Sequence, residues 1–393
     1  MINDLIISRL KSSFYERDLF ALDSPLRNDT YFFGRHQIVQ SLYGKYKSGE
    51  NGCLFGLRRI GKTSVLYAVM RSLETRGEPV LFLDCSETAF HLRRWNEALF
   101  FIIDNFTNTL QNRPENLNLH KEIEYDEKNA SRSFEEDLRN LYRVLGKKRL
   151  LFIFDEIENI TFDISPTDHW ASDNDFLFFW QSIRSVFQKN PGLFSFIIAG
   201  VNPKAIETPT VFSHDNPIYR YVTPVYLSLF DVQEVKEMVS SIGNYMGLVF
   251  DEEVFTYFVD DFGGHPFLIR QVCSVVHKDI KVKRPFTVTK FFYSSKRENL
   301  VKSIQDYIRL IINILKEKYP IEYELLEYLA IGDNDTFNEF ADASFSLIQH
   351  LDGYGLIKQE GENYHFRIKS VADYLIAETK KNRLLNSKED RWA

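Results

Sequence analysis

The run Gly56-Leu57-Arg58-Arg59-Ile60-Gly61-Lys62-Thr63-Ser64 constrains this chain more than any other segment. It follows the pattern G-x-x-x-x-G-K-[ST] without departure. A short apolar run, Cys53-Leu54-Phe55, precedes it, and a helical pattern over residues 62–73 follows. A strand, a glycine-rich turn and a helix in that order form an anion cradle. Backbone N–H groups curl around a phosphate, and the helix N-terminus adds its dipole. Gly56 and Gly61 permit the turn, and Arg59 and Ser64 sit in or beside it. Lys62 is placed for the β- and γ-phosphates, and Thr63 offers a hydroxyl to Mg²⁺.

Such a loop needs an acidic partner at the end of a buried strand. Leu150-Leu-Phe-Ile-Phe-Asp155-Glu156 supplies it. Asp155 is expected to hold Mg²⁺ through water, and Glu156 to polarise the attacking water. A lone Asp serves binding, transfer and hydrolysis equally; the adjacent Glu favours hydrolysis. The guanine signature Asn-Lys-x-Asp is absent, which favours ATP/ADP as the nucleotide. There is no dinucleotide fingerprint G-x-G-x-x-G and no nucleophile elbow of a serine hydrolase.

Around these motifs, continuous apolar runs at 79–84, 150–154 and 194–200 read as strands buried on both faces. Helical patterns lie between them at 95–110, 133–145 and 176–188. This alternation predicts an α/β fold with a parallel sheet covered by helices on both sides. Beyond residue 230 the strand signals stop, and helices are expected at 231–242, 251–262, 266–278 and 300–318. Short helices and a hairpin (355–359 and 364–368 around a turn at 360–363) then give the layout of a winged helix. The expected organisation is an N-terminal extension (1–30), a P-loop ATPase domain (31–230), a helical lid (231–302) and a winged-helix-like domain (303–393).

Composition narrows the setting. The chain has 393 residues, 44% of them hydrophobic, with 34 Phe, which is ample for a core. No apolar run reaches the ~18–20 residues a membrane span needs, so no membrane role is expected. The N-terminus does not read as a signal peptide. Three widely spaced cysteines, Cys53, Cys85 and Cys273, form no disulfide framework and point to a reducing compartment, the cytoplasm. A net charge of −7 argues against a protein that coats nucleic acid.

Further segments carry a family resemblance. Phe32-Phe33-Gly34-Arg35 precedes the loop, Phe262-Gly263-Gly264-His265-Pro266 follows the sheet, and the winged-helix pattern closes the chain. Together these resemble the STAND class of AAA-related P-loop ATPases, of the archaeal or small prokaryotic type. The resemblance implies that Gly34 and Arg35 lie against the adenine. It also implies that Gly264, His265 and Pro266 pack the lid on the nucleotide. The acidic residue usual after the Arg is replaced by His36. Asn202, ending the strand 194–200, resembles the polar sensor of AAA+ proteins that orients the attacking water. Arg184 and Arg220 are the candidates for an arginine finger acting on a neighbouring subunit. The class implies a regulatory switch that self-associates or engages a separate effector or sensor protein, in signalling or anti-phage defence. The alternative is a DNA-acting AAA+ ATPase of the origin-recognition or transposon-targeting kind.

Charge patterning weighs against DNA. Residues 320–380 hold 12 acidic and 4 basic side chains, and the expected recognition helix, 341–351, has no Lys or Arg. Residues 278–302 hold 8 basic and 2 acidic side chains, interleaved with Phe286, Phe291, Phe292 and Tyr293. That segment is a candidate surface for phosphate backbone, an acidic partner or the chain's own acidic end.

Overall fold

The computed structural model describes residue 14 and residues 17–110 and 117–389. Of the expected N-terminal extension, residues 1–13 and 15–16 lie outside the described residues.

Among the described residues, the first elements are α1 (His36–Ser48) and β1 (Gly52–Phe55), followed by α2 (Lys62–Glu74) and β2 (Val80–Asp84). Then come α3 (Trp95–Thr109), α4 (Ala130–Val144), β3 (Leu150–Asp155), α5 (Asp175–Lys189) and β4 (Phe194–Gly200). The four strands form one sheet in the order β1-β4-β3-β2, all parallel. A backbone bridge from Phe55 to Tyr226 adds a fifth, minimal position beside β1.

The sheet's two faces differ in chemistry because side chains alternate along each strand. Leu151, Ile153, Ile197 and Ala199 point to one face, where they join Val65, Leu66 and Val69 of α2. Phe152, Phe154, Phe194 and Phe196 point to the other. There Phe154 meets Phe179 and Trp180 of α5 edge-on, at centroid distances of 6.1 and 5.7 Å. Edge-to-face packing is the arrangement that aromatic quadrupoles prefer. The inward-facing Phe of β3 and β4 are thus gathered on one face of the sheet.

After the sheet, α6 (Val232–Tyr245), α7 (Glu252–Phe262) and α8 (Pro266–Asp279) form a bundle continuous with the aliphatic face. Two short strands, β5 (Leu248–Phe250) and β6 (Phe286–Val288), pair in parallel within it. This corrects the expectation that strands end at residue 230. The expected helix 300–318 is instead α9 (Lys290–Ser303) and α10 (Gln305–Lys318), interrupted at Ile304.

The chain ends in α11 (Pro320–Ala330), α12 (Asn334–Ala343), the hairpin β7 (Ile357–Glu360) and β8 (Asn363–Phe366), and α13 (Lys369–Glu389). The recognition helix expected over 341–351 is not one helix. Extended backbone at Ser344 ends α12, and a 3-10 turn, Phe345–Leu347, and a five-residue turn of helix, Gln349–Gly353, follow before the hairpin. No helix among the described residues is long and apolar enough to cross a membrane.

Candidate functional site

The loop of residues 56–61 leaves β1 and ends on Gly61, which caps α2 with a φ of 106°. The acid pair leaves β3. Because β4 lies between β1 and β3, the loop and the acids face each other across the carboxyl end of β4, where ligands bind in open parallel sheets. They meet there: Thr63 Oγ1 donates to Asp155 Oδ2 at 2.7 Å. Lys62 is buried, and its Nζ donates to the Gly56 and Leu57 carbonyls at 3.1 and 3.2 Å. Burial pushes Asp155 up to about 6, against the Thr63 hydrogen bond that favours its charge. A hydroxyl and a carboxylate oxygen held this close are hard donors of the kind Mg²⁺ takes. These residues therefore fit the ion.

Glu156 takes left-handed backbone, φ 52°. Its N–H donates to Asp155 Oδ1 at 3.1 Å, and its carbonyl accepts from Asn159 Nδ2 at 2.9 Å. This turn directs the residue into a cavity of about 750 Å³, which Lys62, Thr63, Asp155 and Glu156 line together. Tyr31, Phe32, Phe33, Tyr67 and Met238 form an apolar wall, and Pro266, Phe267 and Arg270 enter from α8. A pocket with a polar, phosphate-binding end and an aromatic wall suits a nucleotide.

The segment before α1 closes the cavity's outer side. Leu26 N–H donates to Ser64 Oγ at 3.0 Å, and Arg59 donates to the Asp23 carbonyl at 2.8 Å. Arg270 of α8 donates to the Leu19 and Phe20 carbonyls at 2.7 and 3.2 Å. Residues 19–26 thus tie the loop to α8. Neither this strap nor the role of Arg270 is legible in any motif. Their partners are backbone carbonyls far along the chain.

Arg35 lies on the cavity wall but is already engaged. It donates to the Ser228 carbonyl at 2.7 Å and to the Ile60 carbonyl at 3.4 Å, and its guanidinium lies 4.4 Å from the Phe230 ring centre. Burial lowers its pKa to about 10. It joins the loop to the segment entering α6. Gly34 does not line the cavity; its neighbours Phe33 and Arg35 do.

Other expected residues fall elsewhere. His265 is fully buried and caps α8, its Nδ1 accepting from Leu268 N–H at 3.5 Å. Burial lowers its pKa to about 3. That shift favours the neutral ring, and His265 does not line the cavity, whereas its neighbour Pro266 does. Gly264 is required by close approach, since a Cβ there falls 1.9 Å from the Phe230 carbonyl oxygen at a φ of 79°.

Asn202 is likewise away from the cavity. Its Oδ1 accepts from Lys204 N–H at 2.9 Å and from Tyr319 OH at 2.8 Å. Capping the turn at Pro203 directs the side chain toward the C-terminal unit rather than to a water beside the acids. Arg184 and Arg220 are exposed and do not line the cavity. Arg184 donates to the Pro217 carbonyl at 3.1 Å, and Arg220 lies over Tyr219.

One carboxyl that the motif reading passed over stands out. Glu158 turns back toward the end of β4, where its Oε1 accepts from Val201 N–H at 3.3 Å. Its Oε2 is buried without a well-formed hydrogen bond. Burial, and next the charge of Glu156, hold its pKa well above the ordinary carboxyl range.

Sheet order, loop and acid pair define a P-loop nucleoside-triphosphatase fold. The sequence matches no protein-family model and no curated protein. Among solved structures, the chain is similar to a Walker-type ATPase of Pyrococcus abyssi. The identity is 15% over 91% of this chain and 99% of that one, with a TM-score of 0.57. It also aligns with the RuvB Holliday junction branch migration motor of Thermotoga maritima, at 13% identity over 85% and 92% of the two chains and a TM-score of 0.36. A DNA replication initiation factor aligns at 12% identity over 96% and 98%, with a TM-score of 0.41. The first likeness is one of fold; the other two are too distant to carry an argument.

Proposed function

We propose that this chain is an ATP-binding and ATP-hydrolysing switch of the STAND-like kind. In this reading the nucleotide sets how the α6–α8 bundle and the C-terminal unit lie on the sheet. One observation carries it: a single cavity brings Lys62, Thr63, Asp155 and Glu156 together with Pro266, Phe267 and Arg270 of α8. A nucleotide there touches both bodies. Loss of the γ-phosphate then changes contacts with one body more than with the other, which is what shifting a conformational equilibrium requires.

The roles follow from chemistry. Lys62 and the loop amides bind the phosphates. Thr63 and Asp155 hold Mg²⁺, which neutralises charge developing on the transferred group. Glu156 orients water and takes its proton. Tyr31, Phe32 and Phe33 flank the adenine. Arg184 and Arg220, both exposed, remain available to a second copy of the chain, and association with itself or with an effector protein is the expected output.

The DNA-acting alternative draws on the basic segment 278–302. Within it, Lys278, Lys290, Lys296 and Arg297 are each paired with a carboxylate of the chain. That pairing and the acidic C-terminal unit favour a protein partner.

The test measures ATP turnover with and without duplex DNA at low salt. Amide exchange of α8 and the C-terminal unit is followed in ATP and in ADP. Slow, DNA-indifferent turnover, with exchange that differs between the nucleotides, is the expected result. Strong stimulation by DNA, or identical exchange in both nucleotides, contradicts the switch.

A further inference from the structure

The acid pair at the end of β3 has a neighbour that motif order does not reveal. β2 ends on Asp84, which lies directly beside Asp155 in the parallel register of β2 and β3. The ladder holds to its last residue, since Cys85 N–H donates to the Asp155 carbonyl at 2.9 Å. Residues in register on adjacent strands send their side chains to the same face. On that face Val80, Phe82, Leu151 and Ile153 pack into the aliphatic core. Phe82 lies 4.9 Å from Tyr67 of α2 between ring centres. Asp84 and Asp155 end these two rows beside α2, where Thr63 meets Asp155.

Asp84 is held in place by the turn that follows it. Its Oδ1 accepts from Ser86 N–H at 2.9 Å and from Ser86 Oγ at 2.6 Å. Asp84 and Ser86 line the nucleotide cavity together with Asp155 and Glu156. Among the described residues none of the three carboxyls forms an ion pair. Cations that line the same cavity are turned to backbone instead. Lys62 donates to the Gly56 and Leu57 carbonyls, Arg35 to the Ser228 carbonyl and Arg270 to the Leu19 carbonyl. Carboxylates side by side repel one another, and repel a polyphosphate beside them, unless a cation comes between. Hard oxygen donors suit a hard divalent ion.

We propose that Asp84 is a specificity-determining residue of this cavity, selecting ATP that carries Mg²⁺ over ATP without it. The inference rests on the cavity being the Mg²⁺·ATP site. Thr63 and Asp155 remain the residues that hold the ion, and Asp84 adds a second negative charge from the neighbouring strand. With the ion absent, that charge opposes the phosphates. With the ion present, it attracts the metal-loaded nucleotide. Ser86 keeps the carboxylate on the cavity wall, so the selection is built into the fold before any ligand arrives.

The experiment measures ATP affinity by calorimetry, in Mg²⁺ and in EDTA, for wild type, Asp84→Asn and Ser86→Ala. The quantity read is the ratio of the dissociation constant in EDTA to that in Mg²⁺. Asp84→Asn is expected to weaken binding in Mg²⁺ and to preserve or strengthen it in EDTA. The ratio should fall about tenfold, the scale of one unit charge several ångströms from the ion in a partly hydrated site. Ser86→Ala keeps the charge but releases it, and should lower the ratio in the same direction by less. A merely structural role weakens binding equally in both conditions and leaves the ratio unchanged. A ratio for Asp84→Asn within about twofold of wild type therefore overturns the proposal. If Asp84→Asn does not fold, Ser86→Ala decides, and an unchanged ratio overturns the proposal. Wild type separates the two readings. A wild type that binds no ATP in Mg²⁺ removes the nucleotide site itself, whereas Mg²⁺-dependent binding beside an unchanged ratio in Asp84→Asn removes only the role of Asp84.

Discussion

Lys62 binds two carbonyls of its own loop, and those bonds hold its ammonium at the mouth of the anion cradle. Replacing it with Ala removes a buried cation that lines the cavity beside the loop. Lys62→Ala is expected to abolish nucleotide binding measured by calorimetry, and an unchanged affinity contradicts the loop's role. A second residue-scale prediction concerns Gly200. Its absent Cβ leaves room for the Glu158 carboxyl, so Gly200→Ala forces that group to move. A loss of about 1–3 kcal/mol is expected, as for overpacking in a filled interior. Denaturant unfolding checks this, and wild-type stability contradicts it. At this scale the Thr63–Asp155 pair was legible, because both residues stand at fixed places in short motifs. The placements of Asn202, His265 and Glu158 were not legible. Their environments are set by Tyr319, by burial at a helix cap and by Val201, none of which a local pattern contains.

The elements of the sheet were legible for a simple reason. β3 and β4 are buried along their whole length, so each reads as an unbroken apolar run. β5 and β6 escaped notice because each has three residues and only their pairing makes them strands. The break at Ile304 was invisible because no Gly or Pro marks it. The basic segment also changes meaning once α9 is in place. Arg297 donates to Asp261 of α7 at 2.7 Å and to Asp373 of α13 at 3.0 Å. It is a bolt between the bundle and the last helix. Arg297→Ala is expected to lower the thermal midpoint and to flatten its dependence on salt, because partly exposed ion pairs are screened. An Arg297→Ala protein with the wild-type salt response contradicts this assignment.

At the scale of the whole molecule, the seam between the sheet domain and the C-terminal unit is polar and titratable. Burial opposes a charge on His350, but hydrogen bonds from it to Glu207 and Glu322 prevail and raise its pKa to about 9. A histidine whose pKa is raised by folding stabilises the folded state fully below its unfolded value of about 6.5. That stabilisation is lost as pH rises through about 9. The thermal midpoint of wild type is therefore expected to exceed that of His350→Gln most at pH 6, the gap narrowing by pH 9.5. A gap that is constant or widens with pH contradicts the ion-pair account. The helix-and-hairpin order of this unit was legible from sequence, and so was its acidity. Its grip on residues 201–207 was not, because that grip joins side chains more than a hundred residues apart.

The account turns on one acid. ATP binding and ATP turnover measured side by side on wild type and Glu156→Gln test it most directly. The account predicts that Glu156→Gln keeps wild-type affinity for Mg²⁺·ATP and loses turnover by roughly 10²–10⁴-fold, the scale of a missing general base. Turnover in Glu156→Gln equal to wild type contradicts it.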